Sequence, residues 1–143
     1  MKSIVNRVTR LTRHETELIN ITEEVHQAVA ASGVQSGTAF VLSLHTTTGL
    51  TVNEGLPDIE ADIAEMLHHL ASDEGSYHHG RFLASDGQMA VNATSHLRSA
   101  LLGFQVFFPV EGGRLVLGGR QNIYLVELDG PQERTFVVQV LGA

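Results

Sequence analysis

The feature that most constrains the fold is the C-terminal third of the chain, which carries strand patterns and no helix pattern. Two turn signals, Glu111-Gly112-Gly113 and Asp129-Gly130-Pro131, interrupt this region. The apolar runs around them predict strands at Gln105–Phe108, Arg114–Leu117, Gln121–Leu128 and Thr135–Leu141. Together with helices that all lie earlier in the chain, this pattern predicts an α+β fold. We expect a largely antiparallel sheet rather than a doubly wound parallel one.

Three helices and three further strands are predicted before this region. The strands are expected at Ile4–Thr12, Glu17–Ile21 and Thr38–His45. The first helix is expected to have Thr22 as its N-cap and Gly33 as a left-handed stop, and the others to cover Pro57–Ser72 and Asn92–Leu102. The basic, amphipathic N-terminus also imitates a transit peptide, but its β-branched residues favour a strand.

The strand predicted at Thr38–His45 has two different faces. Phe40, Leu42 and Leu44 form a bulky apolar row on one face, and Ala39, Val41, Ser43 and His45 alternate with them on the other. The sequence therefore places His45 at the end of the strand, pointing away from the bulky row.

Composition limits the classes of protein that remain. A length of 143 residues and the lack of linkers or repeats predict a single domain over 1–143. The chain contains no cysteine, which excludes disulfides and cysteine nucleophiles. A net charge of −7 disfavours nucleic acid as a partner, and no apolar run reaches membrane-spanning length. We expect a cytoplasmic protein without nucleic-acid or membrane partners.

Histidine is unusually abundant, with eight residues in the chain. His45 ends a strand, His79 lies in the polar stretch Asp73–Gln88, and His96 follows Asn92 by one helical turn. Three imidazoles suit zinc and leave a fourth position for water or substrate, so these three are the predicted metal ligands. The alternative for each of them is an ordinary surface or packing histidine.

Other polar residues are candidates for the same site. The sequence predicts a turn at Thr46-Thr47-Thr48-Gly49, directly after the strand that ends at His45. Hydroxyls and exposed backbone N–H groups in this turn, including those of Thr46 and Thr47, can hold an anion such as a phosphate or a carboxylate. Asp62 borders the apolar stripe of the second helix. Glu127 shares a strand face with apolar residues, so its carboxylate needs an arginine or a bound ion as a partner.

Seven short motifs occur in order over nearly the whole chain. They are Ser32-Gly33-Val34-Gln35-Ser36-Gly37, Leu44-His45-Thr46-Thr47 with Asn53-Glu54, Tyr77-His78-His79, Asn92 to Leu97, Gly113-Arg114-Leu115, Gln121-Asn122-Ile123-Tyr124 and Glu127-Leu128-Asp129-Gly130-Pro131. With these motifs the sequence resembles the YjbQ-like family, which is also labelled secondary thiamine-phosphate synthase. The resemblance implies an α+β fold with a β-sandwich-like core, a homotrimer, and a polar cleft that holds the matched histidines.

The family label implies an enzyme that joins a hydroxymethylpyrimidine diphosphate to a thiazole phosphate and releases pyrophosphate. On this hypothesis His45, His79 and His96 bind zinc or a similar ion, or contact phosphate directly. His45, Glu54 and Asp62 are the candidate catalytic residues, with either carboxylate orienting a histidine or acting as a base. The candidate substrate-binding residues are Thr46, Thr47, Asn53, Asn92, Gln121, Glu127 and Arg134.

Two departures from the family pattern leave other functions open. Gly119-Arg120 stands before Gln121 where the family usually has an aromatic residue, and Gln132 follows Asp-Gly-Pro where it usually has arginine. Loss of that arginine weakens bidentate capture of phosphate, and Arg120 is a candidate to replace its charge. The alternatives are a non-catalytic trimer that binds a metal or a phosphometabolite, and a structural trimer whose histidines only pack.

Overall fold

The computed structural model describes residues 1–80, 82–83, 88–89 and 92–143. In these ranges the helices are α1 (Thr22–Ser32), α2 (Pro57–Leu70) and α3 (Ala93–Leu102), with a short 3-10 turn at His78–Gly80. The strands are β1 (Lys2–Leu11), β2 (Glu17–Asn20), β3 (Ser36–Ser43), β4 (Thr48–Glu54), β5 (Phe82–Leu83), β6 (Gln88–Met89), β7 (Gln105–Glu111), β8 (Arg114–Leu115), β9 (Gln121–Glu127) and β10 (Glu133–Gly142).

The strands form two main sheets, in which every described pairing is antiparallel. A large sheet has the order β1-β10-β3-β7-β8, and a small sheet has the order β2-β9-β4. Strands β5 and β6 pair only with each other. The prediction of an α+β fold with a largely antiparallel, sandwich-like core and three helices is confirmed.

The main core lies between the two sheets. Val41 and Val138 of the large sheet and Ile123 and Leu125 of the small sheet belong to one buried cluster, which α1 joins through Val25. The opposite face of the small sheet packs against the helices. Tyr124, Val126 and Leu128 there form a second cluster with Leu67 of α2. Because both faces of β9 are covered, the residues in the middle of this strand, Ile123 to Val126, are all apolar and buried and do not alternate with polar ones.

Strand β3 turns the smaller of its two faces toward the core. Ala39, Val41 and Ser43 are buried, whereas Leu44, just beyond the strand, is exposed. The large sheet therefore keeps a bulky apolar row on its outer side. The predicted alternation was right, but alternation alone does not reveal which face is inward.

Two local predictions need correction. The sequence predicts a threonine-rich turn after His45, but Thr48–Glu54 forms strand β4 and pairs with β9 along its whole length. Thr22 is the first helical residue rather than the N-cap of α1. Its hydroxyl is already used, because it accepts the backbone N–H of Ile123 at 2.8 Å and donates to Asn20 Oδ1.

The predicted ends of two helices are confirmed. Gly33 adopts the left-handed conformation after α1, with φ of 72°, and α3 lies between Asn92 and Gly103 as its capping positions. None of the helices in the described ranges combines the length and apolar character that a membrane crossing requires. Residues 81, 84–87 and 90–91 of the predicted polar stretch and its neighbourhood lie outside the described residues.

Candidate functional site

A cavity of about 540 Å³ lies between the end of β3 and one side of α3. This volume is in the range that holds small metabolites. The lining residues come from the end of β3 and the loop after it, and from α3 and the segment that follows α3: Ser43, Leu44, His45, Thr46, His96, Ser99, Ala100, Gly103 and Phe104. His45 and His96 are 51 positions apart in sequence, and the fold brings both to this one hollow.

Helix α3 is fixed to the small sheet by two serines that sit four residues apart. Ser95 Oγ donates to the carbonyl of Leu128 at 2.6 Å, and Ser99 Oγ donates to the carbonyl of Thr48. Residues at i and i+4 lie on one helix face, so both bonds form together. These anchors set the rotation of α3 and thereby direct His96 toward the cavity.

His45 is held by a backbone donor from the neighbouring strand. Its Nε2 accepts the N–H of Thr135 at 2.9 Å, which requires the neutral ring to carry its proton on Nδ1. Burial lowers the pKa of His45, the Arg134 charge lowers it further, and Glu127 partly opposes this shift. The ring is therefore a neutral hydrogen-bond donor at the edge of the cavity.

Behind His45 lies a buried ion pair. Arg134 donates from Nε to Oε1 of Glu127 at 2.9 Å and from Nη2 to Oε2 at 2.6 Å. Thr12 Oγ1 adds a bond to Oε1 at 2.6 Å, and the backbone N–H groups of Leu128 and Asp129 bond to Oε2. The partner predicted for Glu127 is thus Arg134.

The environment of this pair keeps both the Glu127 carboxylate and the Arg134 guanidinium charged. Burial raises the pKa of Glu127, but hydrogen bonds from Arg134 and Thr12 outweigh it, so the pKa lies below its usual value. Arg134 Nη2 also donates to Thr47 Oγ1 at 2.7 Å. Because Thr47, Glu127 and Arg134 are all buried, they fix the backbone on which His45 and Thr46 are mounted.

His79 contacts His96, although it is not among the residues that line the cavity. The two imidazole centroids are 4.9 Å apart, and the rings meet edge to face at 84°. His45, by contrast, has its Nε2 committed to Thr135. No group of three potential metal ligands comes together among the described residues. The arrangement therefore does not fit zinc held by all three histidines unless His45 gives up its backbone bond.

Asn92 lies near the ion pair, although it does not line the cavity. Its Nδ2 donates to Oδ2 of Asp129 at 2.9 Å, and Asp129 in turn donates its N–H to Glu127. Asn92 occupies the capping position of α3 but makes no side-chain cap bond. It links the start of α3 to the loop after β9.

The remaining predicted residues lie elsewhere in the chain. Glu54 pairs with Gln121 at one end of the small sheet, whereas the cavity adjoins the other end, where Thr48 pairs with Glu127. Asn53 is next to Glu54 and exposed, and Asp62 is exposed on α2. None of the residues Asn53, Glu54, Asp62 and Gln121 therefore lines the cavity with His45 and His96.

Sequence reasoning missed one buried charge near the site. Arg98 lies on α3, is 1% exposed, and donates to the carbonyls of Leu67 and Ala71 at the C-terminal end of α2. It also pairs with Asp73 at 3.1 Å. Carbonyls at the C-terminal end of a helix attract such cations, but no local pattern in the sequence indicates that Arg98 reaches that end. The Ser95 and Ser99 spacing was the one usable signal for how α3 is oriented.

Comparison with known proteins gives a consistent result over nearly the full length. The family model described as "UPF0047 protein YjbQ-like" matches residues 7–143. A UPF0047 protein of Archaeoglobus fulgidus is 37% identical over 134 residues, which is 94% of this chain and 98% of that protein. The UPF0047 protein YugU of Bacillus subtilis is 34% identical and covers 92% of this chain and 94% of its own.

Solved structures share the fold. A YbjQ-like protein of unknown function from Sulfolobus solfataricus superposes with a TM-score of 0.91 at 34% identity, covering 99% of each chain. A hypothetical protein from Aeropyrum pernix gives a TM-score of 0.86 at 31% identity, covering 98% of this chain and 99% of its own.

Proposed function

Because the chain belongs to the UPF0047 YjbQ-like family, we propose that it binds a small phosphorylated metabolite in the cavity between His45 and His96. The proposed reaction is of the thiamine-phosphate synthase type, in which a hydroxymethylpyrimidine diphosphate is joined to a thiazole phosphate. The observation that carries this proposal is the convergence of His45, Thr46 and His96 on one hollow of metabolite size.

The chemistry of such a reaction asks for hydrogen-bond donors rather than a strong base. The C–O bond to the diphosphate breaks, pyrophosphate leaves with the electron pair, and the ring nitrogen of the thiazole forms the new C–N bond. Negative charge grows on the leaving oxygen, and fixed donors directed at that charge are an effective catalytic device. The Nδ1–H of His45 and the hydroxyl of Thr46 are donors of this kind.

In this proposal the buried residues have a positioning role. Arg134 and Glu127 neutralise each other and hold Thr47, so they act on a ligand through the backbone that carries His45. Asn92 supports the same region through Asp129. Asp62 lies on α2 and takes no part in the proposed step, although it was a candidate base.

Zinc is a second candidate ligand, favoured by one observation. His79 and His96 lie in ring contact, so a modest rotation would direct two imidazole nitrogens to a common ion. A third ligand would have to come from His45 after release of Thr135, or from the bound metabolite. Metal analysis of the purified protein tests this, with His79→Ala expected to lose any stoichiometric zinc that the wild type retains.

A non-catalytic homotrimer that binds a phosphometabolite is the competing function, since the same cavity would serve it. Product formation from the two phosphorylated precursors, measured at low precursor concentrations, separates the two functions. Tight binding with negligible turnover would favour the binding protein. We propose the cytoplasm as its location, because multiply charged precursors do not cross a bilayer unaided.

The test of ligand binding uses inorganic pyrophosphate and isothermal calorimetry. We expect His45→Ala to weaken binding at least tenfold, because one charge-assisted donor contributes roughly 1.5–3 kcal/mol. His69→Ala is the matched control, since His69 is an exposed histidine on α2, and it should bind as the wild type does. Failure of the wild-type protein to bind pyrophosphate, or equal binding by His45→Ala, would overturn the proposal.

A further inference from the structure

The polar residues predicted to bind ligand lie at two opposite ends of the small sheet. Thr48 pairs with Glu127 beside the cavity, and Glu54 pairs with Gln121 at the far end of the same two strands. A strand rises about 3.4 Å per residue, so these ends are roughly 20 Å apart. One chain cannot bring Gln121 and His45 to the same small ligand.

The cavity also lacks a free cation of its own in the described part of the chain. Arg134 is bonded to Glu127, and Arg98 is bonded to Asp73 and to two carbonyls of α2. Both guanidinium groups are buried. A ligand with two or more negative charges needs compensating charge when it leaves water, so the hollow is incomplete as a site for pyrophosphate.

The far end of the sheet offers such a cation. The side chain of Arg120 is 87% exposed and has only a loose contact of 3.6 Å with Glu54, a surface pair that contributes little. The turn that carries Arg120 is held in shape, because Gly118 donates its N–H to Gln121 Oε1 at 2.8 Å. Arg120 is therefore presented outward from a fixed strand end.

Exposed apolar side chains connect the two ends. Leu44 and Phe104 at the rim of the cavity are 55% and 54% exposed. Phe107 is 64% exposed and lines a groove of about 330 Å³ together with Gln121. Clustered apolar side chains of this size on a water-facing surface are typical of a protein interface.

We propose that a second copy of this chain covers this surface and places its Arg120 and Gln121 in the cavity formed by His45 and His96. The inference deepens the proposed function and rests on it for the ligand, whereas the contact between copies can be tested by itself. The two contacting patches differ, so the interface is heterologous, and a three-fold rotation between copies closes such an interface into the ring of the proposed homotrimer.

The absence of cysteine allows a direct test of the contact. A chain carrying both Thr46→Cys and Arg120→Cys should form disulfide-linked dimers and larger species under mild oxidation. Disulfides need Cα atoms within about 7 Å, so these two positions cannot join within one chain. The pair Thr46→Cys with Arg13→Cys is the control, and it should stay monomeric on a denaturing gel. Absence of cross-linking with the first pair would overturn the inference, whatever the protein binds.

The ligand is tested by co-expressing two differently tagged variants, His45→Ala and Arg120→Gln, and measuring pyrophosphate binding. Each variant alone should bind at least tenfold more weakly than the wild type, and Arg13→Gln should bind normally. In mixed oligomers about one contact in four joins an intact cavity to an intact Arg120, so about a quarter of the sites should recover.

Sites built within one chain would show no recovery, and that result would overturn the inference while leaving the proposed cavity intact. Normal binding by Arg120→Gln would overturn it as well. If the wild type binds no pyrophosphate but the cysteine pair cross-links, the proposed function fails and the contact between copies stands.

Discussion

At the scale of single residues, the densest network in the molecule surrounds Glu127. Its two carboxylate oxygens, which are fully buried, accept bonds from Arg134, Thr12 and two backbone N–H groups. A buried pair of this kind contributes little net stability relative to apolar residues of similar size. Removing one partner is nevertheless strongly destabilising, because the other charge stays buried without compensation. The pair therefore enforces a particular arrangement of the chain around His45.

Replacing Glu127 by glutamine should reduce the free energy of unfolding by about 3–5 kcal/mol, because the Arg134 charge is left uncompensated. Urea denaturation of the wild type and the variant measures the difference. The double variant Glu127→Gln with Arg134→Met removes both charges and should recover part of the loss. A single-variant loss below about 1 kcal/mol would show that water reaches Arg134.

The depressed pKa of Glu127 also predicts a response to acid. A carboxyl group whose folded pKa is below its unfolded value stabilises the fold above the unfolded pKa, and this contribution is lost as pH falls through the folded pKa. Unfolding of the wild type should therefore become easier below about pH 4, and the Glu127→Gln variant should show a flatter dependence. Urea midpoints measured between pH 2 and 6 provide the comparison.

His45 predicts a second pH effect, of the same sign but in a different range. Its folded pKa lies below the ordinary value, so the unfolded chain binds this proton more readily. Stability from this group is complete above about pH 6.5 and declines as pH falls below it. Nitrogen-15 NMR should find the Nδ1–H tautomer at pH 7. A titration midpoint above 6.5 would contradict the bond from Thr135.

At the scale of elements, the position of α3 depends on the lack of a side chain at Gly49. A Cβ atom there would come within 2.6 Å of Leu102 Cβ and 2.7 Å of its Cδ1. Gly49 is buried in β4, directly beneath the helix that carries His96. Close approach of α3 to the small sheet is therefore a condition for forming the cavity.

Gly49→Ala should destabilise the fold by about 1–3 kcal/mol and displace α3, since an added methyl group cannot be accommodated without movement. Thermal unfolding and pyrophosphate affinity would both be measured, and both should decline. Gly119→Ala is the matched control, because a Cβ at that position meets nothing within 4 Å. Equal behaviour of the two variants would mean that α3 is loosely packed.

The elements also show how far the sequence could be interpreted. Turn signals, alternation and helical periodicity predicted ten of these elements well enough to establish an antiparallel α+β fold, as β1, β9 and β10 illustrate. Strand β4 was missed because Thr46-Thr47-Thr48-Gly49 looks like a turn, and only pairing with β9 makes it a strand. Pairing partners are distant in sequence, so no local pattern reports them.

The site was predictable to a similar degree. Position relative to strand and helix ends was enough to select His45 and His96, which share the cavity. The sequence predicted that Glu127 pairs with an arginine or a bound ion, because a buried carboxylate requires a partner, but it did not identify Arg134 as that partner. The separation of Glu54 and Gln121 from His45 follows from the β4–β9 register, which depends on long-range pairing.

At the scale of the whole molecule, the outward row on β3 and the side chain of Phe107 leave one sheet face partly apolar. On the proposed assembly, Phe107→Ser should shift the protein toward monomers without unfolding it, because that side chain is mostly exposed in a single copy. Analytical ultracentrifugation and circular dichroism measure the two properties. Val116→Ser, which also replaces an exposed apolar residue, is the control. A monomeric wild type would contradict the assembly.

The outward placement of Leu44, Phe104 and Phe107 has a consequence for biosynthesis. On the proposed assembly, each newly made copy exposes these apolar side chains until a second copy covers them, so assembly competes with non-specific aggregation. Rapid overproduction raises the concentration of unassembled chains, which speeds both assembly and aggregation. Slower synthesis at lower temperature changes the relative rates of these two processes. On the proposed assembly, the surface that joins two copies is thus also the surface most exposed to aggregation during synthesis.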